Sequence, residues 1–263
     1  MYRILLSLSL IISFYALPAN AEKFTWEKIA EDLELGKTEI SEGLLRSGKI
    51  VMLRTTLTKY RPEVIIARNF DKQTSNVKFL ANKSKAVAAI NANFFDEQNE
   101  PLGLVIHRGQ QLNPIHSGGR TLTGILKIGR NQLSIVHRNS FRPERVVEAI
   151  QAGPRLIVDN EPVAKLNKPS NRRAGVCIDA QNRFIIFTFI GNFLGITHEE
   201  LQAFLLGKSI QCKDALNLDG GGSTQLYISD KIPNPIKKFK GIYLPGTDDV
   251  PVALALYPRS LTP

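Results

Sequence analysis

Apolar and polar positions alternate along this chain in short runs, and the runs predict mostly strands. Leu33, Leu35 and Ile40 mark a first strand in a polar stretch. Ile50 to Leu57 and Glu63 to Ala67 are rich in apolar and β-branched residues, which predicts two strands around a turn at Lys59-Tyr60-Arg61-Pro62. Ala86 to Asn91 is a continuous apolar run, short enough to predict a buried strand. Pro101 to Ile106 starts another. Gly124 to Ile128 and Gln132 to His137 predict a hairpin, and Val146 to Gln151 leads through a sharp Gly153-Pro154 turn into Arg155 to Val158. Ala174 to Ile178 and Phe184 to Ile190 predict paired strands around Asp179 to Asn182. The second of them lacks alternation, as in a central strand covered on both faces. Val252 to Leu256 predicts a last strand that closes the sheet.

Helical spacing is rarer. Val77, Leu80 and Ala81 space as a short surface helix within Asn69 to Lys85. Thr197 with Glu200 reads as a capping box, Leu201, Phe204 and Leu205 as the apolar stripe behind it, and Gly207 as the stop. No internal repeat and no clean domain boundary is evident.

The polar residues gather at strand ends. Asn91-Ala92-Asn93-Phe94-Phe95-Asp96 places two amides, two aromatics and an acid at the end of one buried strand. Leu112 to Thr123 reads as a loop carrying His116, which alone says little. Arg155 leaves the Gly153-Pro154 turn, facing either an anion or solvent. Asn167 to Arg173 is a polar loop ending in two arginines. The most pronounced stretch is Ala215-Leu216-Asn217-Leu218-Asp219-Gly220-Gly221-Gly222-Ser223-Thr224, followed by a second apolar run. Ordering three glycines is costly in backbone entropy. Two uses account for it: a tight strand–turn–strand link, or a bare backbone whose N–H groups meet an oxyanion. Asp219 behind the glycines favours a ligand.

Composition narrows the classes. The chain has 263 residues, 43 % hydrophobic, enough for one large domain or two small ones without staples. Its net charge is +10, which favours anionic partners. The basic residues are scattered, with no run interleaved with aromatics, so nucleic acid is not expected as a partner. A GxGxxG site, a P-loop lysine, an H-E-x-x-H or paired-cysteine zinc motif and a G-x-S-x-G elbow are all missing.

Arg3, the apolar stretch Ile4 to Leu17 and Ala19-Asn20-Ala21 read as a cleaved signal peptide over residues 1–21, with the mature domain over 22–263. The apolar run is short for a membrane span, and an uncleaved anchor is the alternative. The expected location is periplasmic or secreted, with no stable membrane insertion after cleavage. In an oxidising compartment the two cysteines, Cys177 and Cys212, favour a disulfide between adjacent strands over two small buried residues.

Four motifs in order then give a resemblance. Asn-x-Asn-Phe-Phe-Asp with a following Pro-Leu-Gly-Leu, Gln-Ala-Gly-Pro-Arg-Leu, Arg-Arg-x-Gly-Val and Ala-Leu-Asn-Leu-Asp-Gly-Gly-Gly-Ser-Thr resemble the phosphodiester glycosidase family, over roughly Lys49 to Tyr257. The chain looks like that family's compact bacterial exported branch, which carries paired cysteines at similar places. The resemblance implies an α+β fold, a single domain with an extensive mixed or antiparallel sheet and few helices. It also implies hydrolysis of a sugar-1-phosphate diester in the cell envelope or an exopolysaccharide. By motif position the implied site is Asn91, Asn93, Phe95, Asp96, Gly103, Gly153, Pro154, Arg173, Asp219, Gly220, Gly221, Ser223 and Thr224.

Asp219 and Asp96 are the expected acid–base residues, and Arg173 with the glycine turn the expected phosphate holder. Two other readings stay open. One is a non-catalytic module that binds an anionic envelope glycan in the same pocket. The other adds a divalent cation on Asp96, Asp219 and the asparagines. No other cofactor is expected.

Overall fold

The short runs fold into three antiparallel sheets. The computed structural model describes residues 24–41, 47–166, 169–191 and 194–259. The expected signal peptide lies outside the described residues, as does part of the loop that begins at Asn167. In chain order the first strands are β1 (Thr25–Ala30), β2 (Leu33–Ser41), β3 (Ser47–Thr55), β4 (Tyr60–Ile66), β5 (Ala88–Asn91) and β6 (Val105–His107). Next come β7 (Gln110–Asn113), β8 (Gly124–Ile128), β9 (Leu133–His137), β10 (Glu148–Ala152), β11 (Arg155–Val158) and β12 (Glu161–Pro162). The last are β13 (Arg173–Asp179), β14 (Phe184–Gly191), β15 (Cys212–Asn217), β16 (Leu226–Ile228), β17 (Ile242–Leu244) and β18 (Val252–Pro258). The α-helices among the described residues are α1 (Val77–Ser84) and α2 (His198–Leu206). The chain is thus α+β and dominated by sheet.

The large sheet runs β1-β2-β3-β14-β13-β15-β11-β12, and the two five-stranded sheets run β7-β6-β10-β8-β9 and β17-β16-β5-β18-β4. The Gly124–Ile128 strand pairs with its hairpin partner as expected, from Gly124 opposite His137 to Ile128 opposite Leu133. β13 and β14 pair as expected too. β14 is central and covered on both faces. Phe184 and Ile186 enter one core with Val176 and Leu216, which also draws on both smaller sheets. Ile185, Phe187 and Phe189 enter a second core beneath α2, with Leu201 and Leu205.

The two strands expected around one turn at Lys59 to Pro62 form, yet they part company. β3 pairs with β2 and β14, whereas β4 pairs with β18. Tyr60 to Pro62 lie within β4, opposite Pro258 to Leu256. An apolar pattern shows that a strand has a face to bury and leaves its partner open.

Both helices start at a capping side chain, of which only the second was expected from the sequence. Asn76 accepts the Phe79 N–H at 2.9 Å ahead of α1. Thr197 accepts the Glu200 N–H at 3.1 Å while Glu200 accepts the Thr197 N–H at 2.9 Å, a closed capping box. Cys177 on β13 and Cys212 on β15 form a disulfide with Cα atoms 5.8 Å apart, within the reach such a bond requires. No described helix is long and apolar enough to cross a membrane.

Two links position the site. Gly153-Pro154 carries the chain from a five-stranded sheet into the large one, and Asp219 to Gln225 carries it from the large sheet into the other five-stranded one. The polar ends of β5, β11, β13 and β15 therefore gather where the sheets abut.

Candidate active site

The glycine turn is built against the end of β5. The Asp219 N–H donates to the Ala92 carbonyl at 3.1 Å. The Asp219 carbonyl accepts Nδ2 of fully buried Asn91 at 2.7 Å, and Asn91 Oδ1 accepts the Gln225 N–H at 3.1 Å. One side chain thereby spans both ends of the turn. Inside it, Gly221–Ser223 forms a single 3-10 turn with Gly221 at φ +59°. A Cβ on Gly220 would lie 2.8 Å from the Arg172 carbonyl, and one on Gly222 2.1 Å from Asp248 Oδ2. Glycine is required because backbone and carboxylate crowd the turn. The N–H groups of Gly220, Gly221, Ser223 and Thr224 all donate within the protein, so these four do not form the bare cradle that the sequence pattern suggests. Ser223 is buried, and Thr224 is fully buried with no partner for its hydroxyl among the described residues.

Burial pushes the Asp219 carboxyl up to about 6. Its hydrogen bonds to the Ser223 side chain and the Gly220 N–H act the other way, and the charge of Asp248 raises it further. Sequence reading had no signal for Asp248, which lies beyond the second apolar run and meets the turn only in the fold.

Two adjacent arginines hold the other side. Arg172 accepts the Gly221 N–H on its carbonyl at 3.0 Å and donates Nη2 to the carbonyls of Thr224 and Pro245 at 3.0 and 2.6 Å. Arg172 is thus a strut of the turn. Arg173 opens β13 and is buried; Nε donates to the Ile196 carbonyl at 3.2 Å and Nη2 to that of Pro169 at 2.6 Å. Its Nη1 lies 4.0 Å from where a Cβ on Gly220 would sit. Burial lowers its pKa, and among the described residues it has no ion-pair partner.

Arg173 also faces a cavity of about 660 Å³, within the range of small-molecule sites. Gly153, Pro154, Arg155, Asn217, His137, Arg120 and Lys165 are on its wall. Neither Asp219 nor Gly220 is on the wall; Asp219 precedes Gly220, near which Arg173 Nη1 lies. Gly153 admits no side chain, since a Cβ there would lie 2.0 Å from the Thr121 carbonyl. The Pro154 carbonyl accepts the Asn217 N–H at 3.1 Å. Asn217, a polar residue inside an apolar strand, was the available sequence signal for this wall.

The remaining expected residues serve the neighbouring loop. Asn93 is buried and donates Nδ2 to the carbonyls of Leu104 and Gln151 at 3.2 and 2.9 Å. Phe95 bridges to Pro101 and packs on the core under α1. Asp96 Oδ1 accepts the N–H groups of Gln98 and Glu100 at 3.0 and 2.9 Å, which ties the turn that follows it. Gly103 leaves room for the Gln151 side chain, 2.7 Å from where its Cβ would be. Among the described residues no three His, Cys, Asp or Glu side chains cluster as a metal site.

The fold is shared with solved structures. A hypothetical protein from Synechocystis matches at a TM-score of 0.62 with 14 % identity, over 92 % of this chain. This chain spans 65 % of that protein's length. The catalytic domain of zebrafish N-acetylglucosamine-1-phosphodiester alpha-N-acetylglucosaminidase, auto-inhibited by its pro-peptide, matches at 0.64 with 17 % identity, over 90 % of this chain and 88 % of that one. A candidate exported protein from Burkholderia pseudomallei matches at 0.57 with 11 % identity, over 81 % and 74 %. At such identities the likeness is one of fold. No curated protein matches the sequence. The family model for phosphodiester glycosidases matches residues 84–257, which hold every expected site residue, and the chain belongs to the phosphodiester glycosidase family.

Proposed function

We propose that this protein is an exported hydrolase that cleaves a glycosyl phosphodiester, with Asp219 as its acid–base residue and Arg173 as its phosphate holder. The observation that carries the reading is a half-buried carboxyl, raised to about 6, on the glycine turn beside a buried arginine that has no acidic partner among the described residues. Arg173 lines a cavity together with three other cations, and its Nη1 lies close to Gly220, the residue after Asp219. Family membership supports the substrate class, and the zebrafish enzyme of the same fold acts on a sugar 1-phosphodiester by its name.

In this reading the bound diester places its phosphate on Arg173. A water molecule attacks the sugar C1, the bond from C1 to the phosphate oxygen breaks, and the phosphomonoester leaves with both electrons. The water proton passes to the Asp219 carboxylate. A phosphomonoester is a stable anion and needs little help from an acid, so the greater need is activation of water, which Asp219 serves as a base. Arg173 stabilises the charge that develops on the leaving phosphate. Asp96, whose Oδ1 ties its own turn, is assigned the positioning of the segment from Asn91 to Gly103. The signal-like N-terminus and the disulfide support an exported, envelope-facing protein.

The deciding experiment is turnover of a synthetic sugar-1-phosphate diester by purified protein, followed as release of free sugar. Release by wild type that Asp219→Asn abolishes supports the enzyme. Tight binding of the diester without any release, in wild type, favours the glycan-binding module instead.

A further inference from the structure

The cavity carries more positive charge than a single phosphodiester matches. Arg120, Arg155, Lys165 and Arg173 line it, and among the described residues no aspartate or glutamate does. None of the four joins an ion pair with a described residue. A phosphodiester brings one negative charge. Two of the cations, Arg155 and Arg173, are fixed at the starts of strands and at least partly buried, and holding such a charge out of water without a counter-charge is expensive.

The surplus is also separated in space. β11 and β13 flank β15 on opposite sides, and strands two apart are roughly 10 Å apart. Arg173 stands beside the glycine turn. Arg155 stands beside Gly124, whose Cβ would lie 2.8 Å from its Cγ, and its own N–H donates to Thr123 Oγ1 at 3.2 Å. The Nε of Arg155 is buried with no partner among the described residues. Asp214 acts on Arg155 through its charge, yet it is not on the cavity wall.

His137 is on the same wall. Its Nδ1 accepts the Asn139 N–H at 3.2 Å, so Nε2 is the ring nitrogen left to donate. Burial, and then the charges of Arg155 and Arg138, lower its pKa. On β15 between the two strands, Asn217 is buried, donates Nδ2 to the carbonyls of Gly153 and Leu218, and keeps a buried Oδ1 with no partner among the described residues. A buried acceptor without a donor is costly, and a sugar hydroxyl in the cavity would supply one.

We propose that the substrate is at least doubly anionic: besides the phosphodiester at Arg173, it carries a second oxyanion, carboxylate or phosphate, bound by Arg155 and His137 across the cavity from Arg173. This rests on the reading of the site as a phosphodiester glycosidase centre. Asn217 accepts from a hydroxyl of the sugar between the two charges. The second oxyanion belongs either to the sugar, as in a uronic acid, or to the alcohol on the far side of the phosphate.

Three synthetic diesters test this: a neutral hexose 1-phosphopropyl diester, its uronic acid counterpart, and a hexose 1-phosphodiester whose alcohol bears a carboxylate. Binding is read by calorimetry on Asp219→Asn protein, which is expected to hold the diesters without consuming them, and turnover on wild type. At least one acid-bearing diester should bind about 10-fold or more tightly than the neutral one, as one charge-assisted contact provides. Which one it is identifies the side that faces Arg155. Adding Arg155→Gln should bring that ratio to about one, and Arg155→Lys should keep much of it. Equal affinity for all three diesters overturns the proposal, as does a ratio unchanged by a folded Arg155→Gln protein. Should Arg155→Gln fail to fold, the ratio in Arg155-containing protein still decides. If wild type turns over none of the three while the Arg155-dependent ratio holds, the glycosidase reading falls and the second-oxyanion site stands.

Discussion

Asn91 holds Asp219 by the backbone: its Nδ2 donates to the Asp219 carbonyl at 2.7 Å, while its Oδ1 accepts the Gln225 N–H on the far side of the glycine turn. A side chain at the end of β5 therefore sets the position of a carboxyl on the link that enters its own sheet from the large one. Shortening it leaves a buried carbonyl and a buried N–H without partners. Asn91→Ala should destabilise the protein by about 2–4 kcal/mol and lower activity further, because Asp219 loses its support. Urea unfolding measures the first effect. A loss well under 1 kcal/mol would show that the turn holds itself.

Partial burial pushes the Asp219 carboxyl up to about 6. As a base it works ionised, so kcat/KM should rise with pH through about 6, and Asp219→Asn should remove that limb and cost about 10²-fold or more. The same shift has a stability counterpart. A carboxyl raised in the folded state lends stability that is full below the unfolded value near 3.9 and is lost as pH rises through about 6. At pH 7.5 Asp219→Asn should therefore be more stable than wild type, by about 2 kcal/mol, with the advantage gone below pH 4. Melting curves at the two pH values check the sign. A wild-type rate that is flat between pH 5 and 7 removes Asp219 from the chemistry.

Arg173 should affect binding more than the fold of the sheet. Arg173→Ala removes the guanidinium beside Gly220 and should raise KM about 10- to 100-fold, the strength of a charged hydrogen bond to phosphate. Arg173→Lys keeps the charge but loses the fork that also reaches the carbonyls of Ile196 and Pro169, and it should recover part of the affinity. Steady-state kinetics on a cleaved diester separates KM from kcat. An unchanged KM in the alanine variant would place the phosphate elsewhere.

The Cys177–Cys212 bridge joins positions 35 apart in sequence and closes a segment that contains β14 and α2. Loop-closure entropy predicts that replacing both cysteines by alanine costs about 2–4 kcal/mol. The site, at the other end of β13 and β15, should keep its affinity for a diester in the folded fraction. Unfolding curves of the double variant, with and without reductant, measure the cost.

Much of the framework was legible because its signals are local. The capping box at Thr197, the hairpin from Gly124 to His137, the unalternating Phe184 to Ile190 and the buried run into Asn91 each follow from a few neighbouring residues, and each formed. The motif order also brought out Asp219 and Arg173, since chemistry-bearing residues at strand ends stand out against apolar runs. Strand partners were not legible. β3 and β4 adjoin in sequence and join different sheets, because a half-buried strand pattern suits any edge with a matching face.

What the sequence by itself determined is most of the strands and both helices, where the polar clusters interrupt them, and which family the motifs resemble. It missed β1, β7, β12 and β17, short or polar segments that pair only in the fold, and β7 takes Leu112 and Asn113 from the expected loop. Only the tertiary structure decided what those clusters meet. Antiparallel pairing on both sides of β15 sets Arg155 and Arg173 apart, with Asn217 between them. The crossing between sheets brings Asp248 against Gly222 and gives the Gly221 N–H the Arg172 carbonyl. Asp96, by contrast, met donors close to it in sequence: its Oδ1 accepts the N–H groups of Gln98 and Glu100. Burial, and with it the shift at Asp219, is a property of residues far apart in the chain that pack together. No local window of sequence contains it.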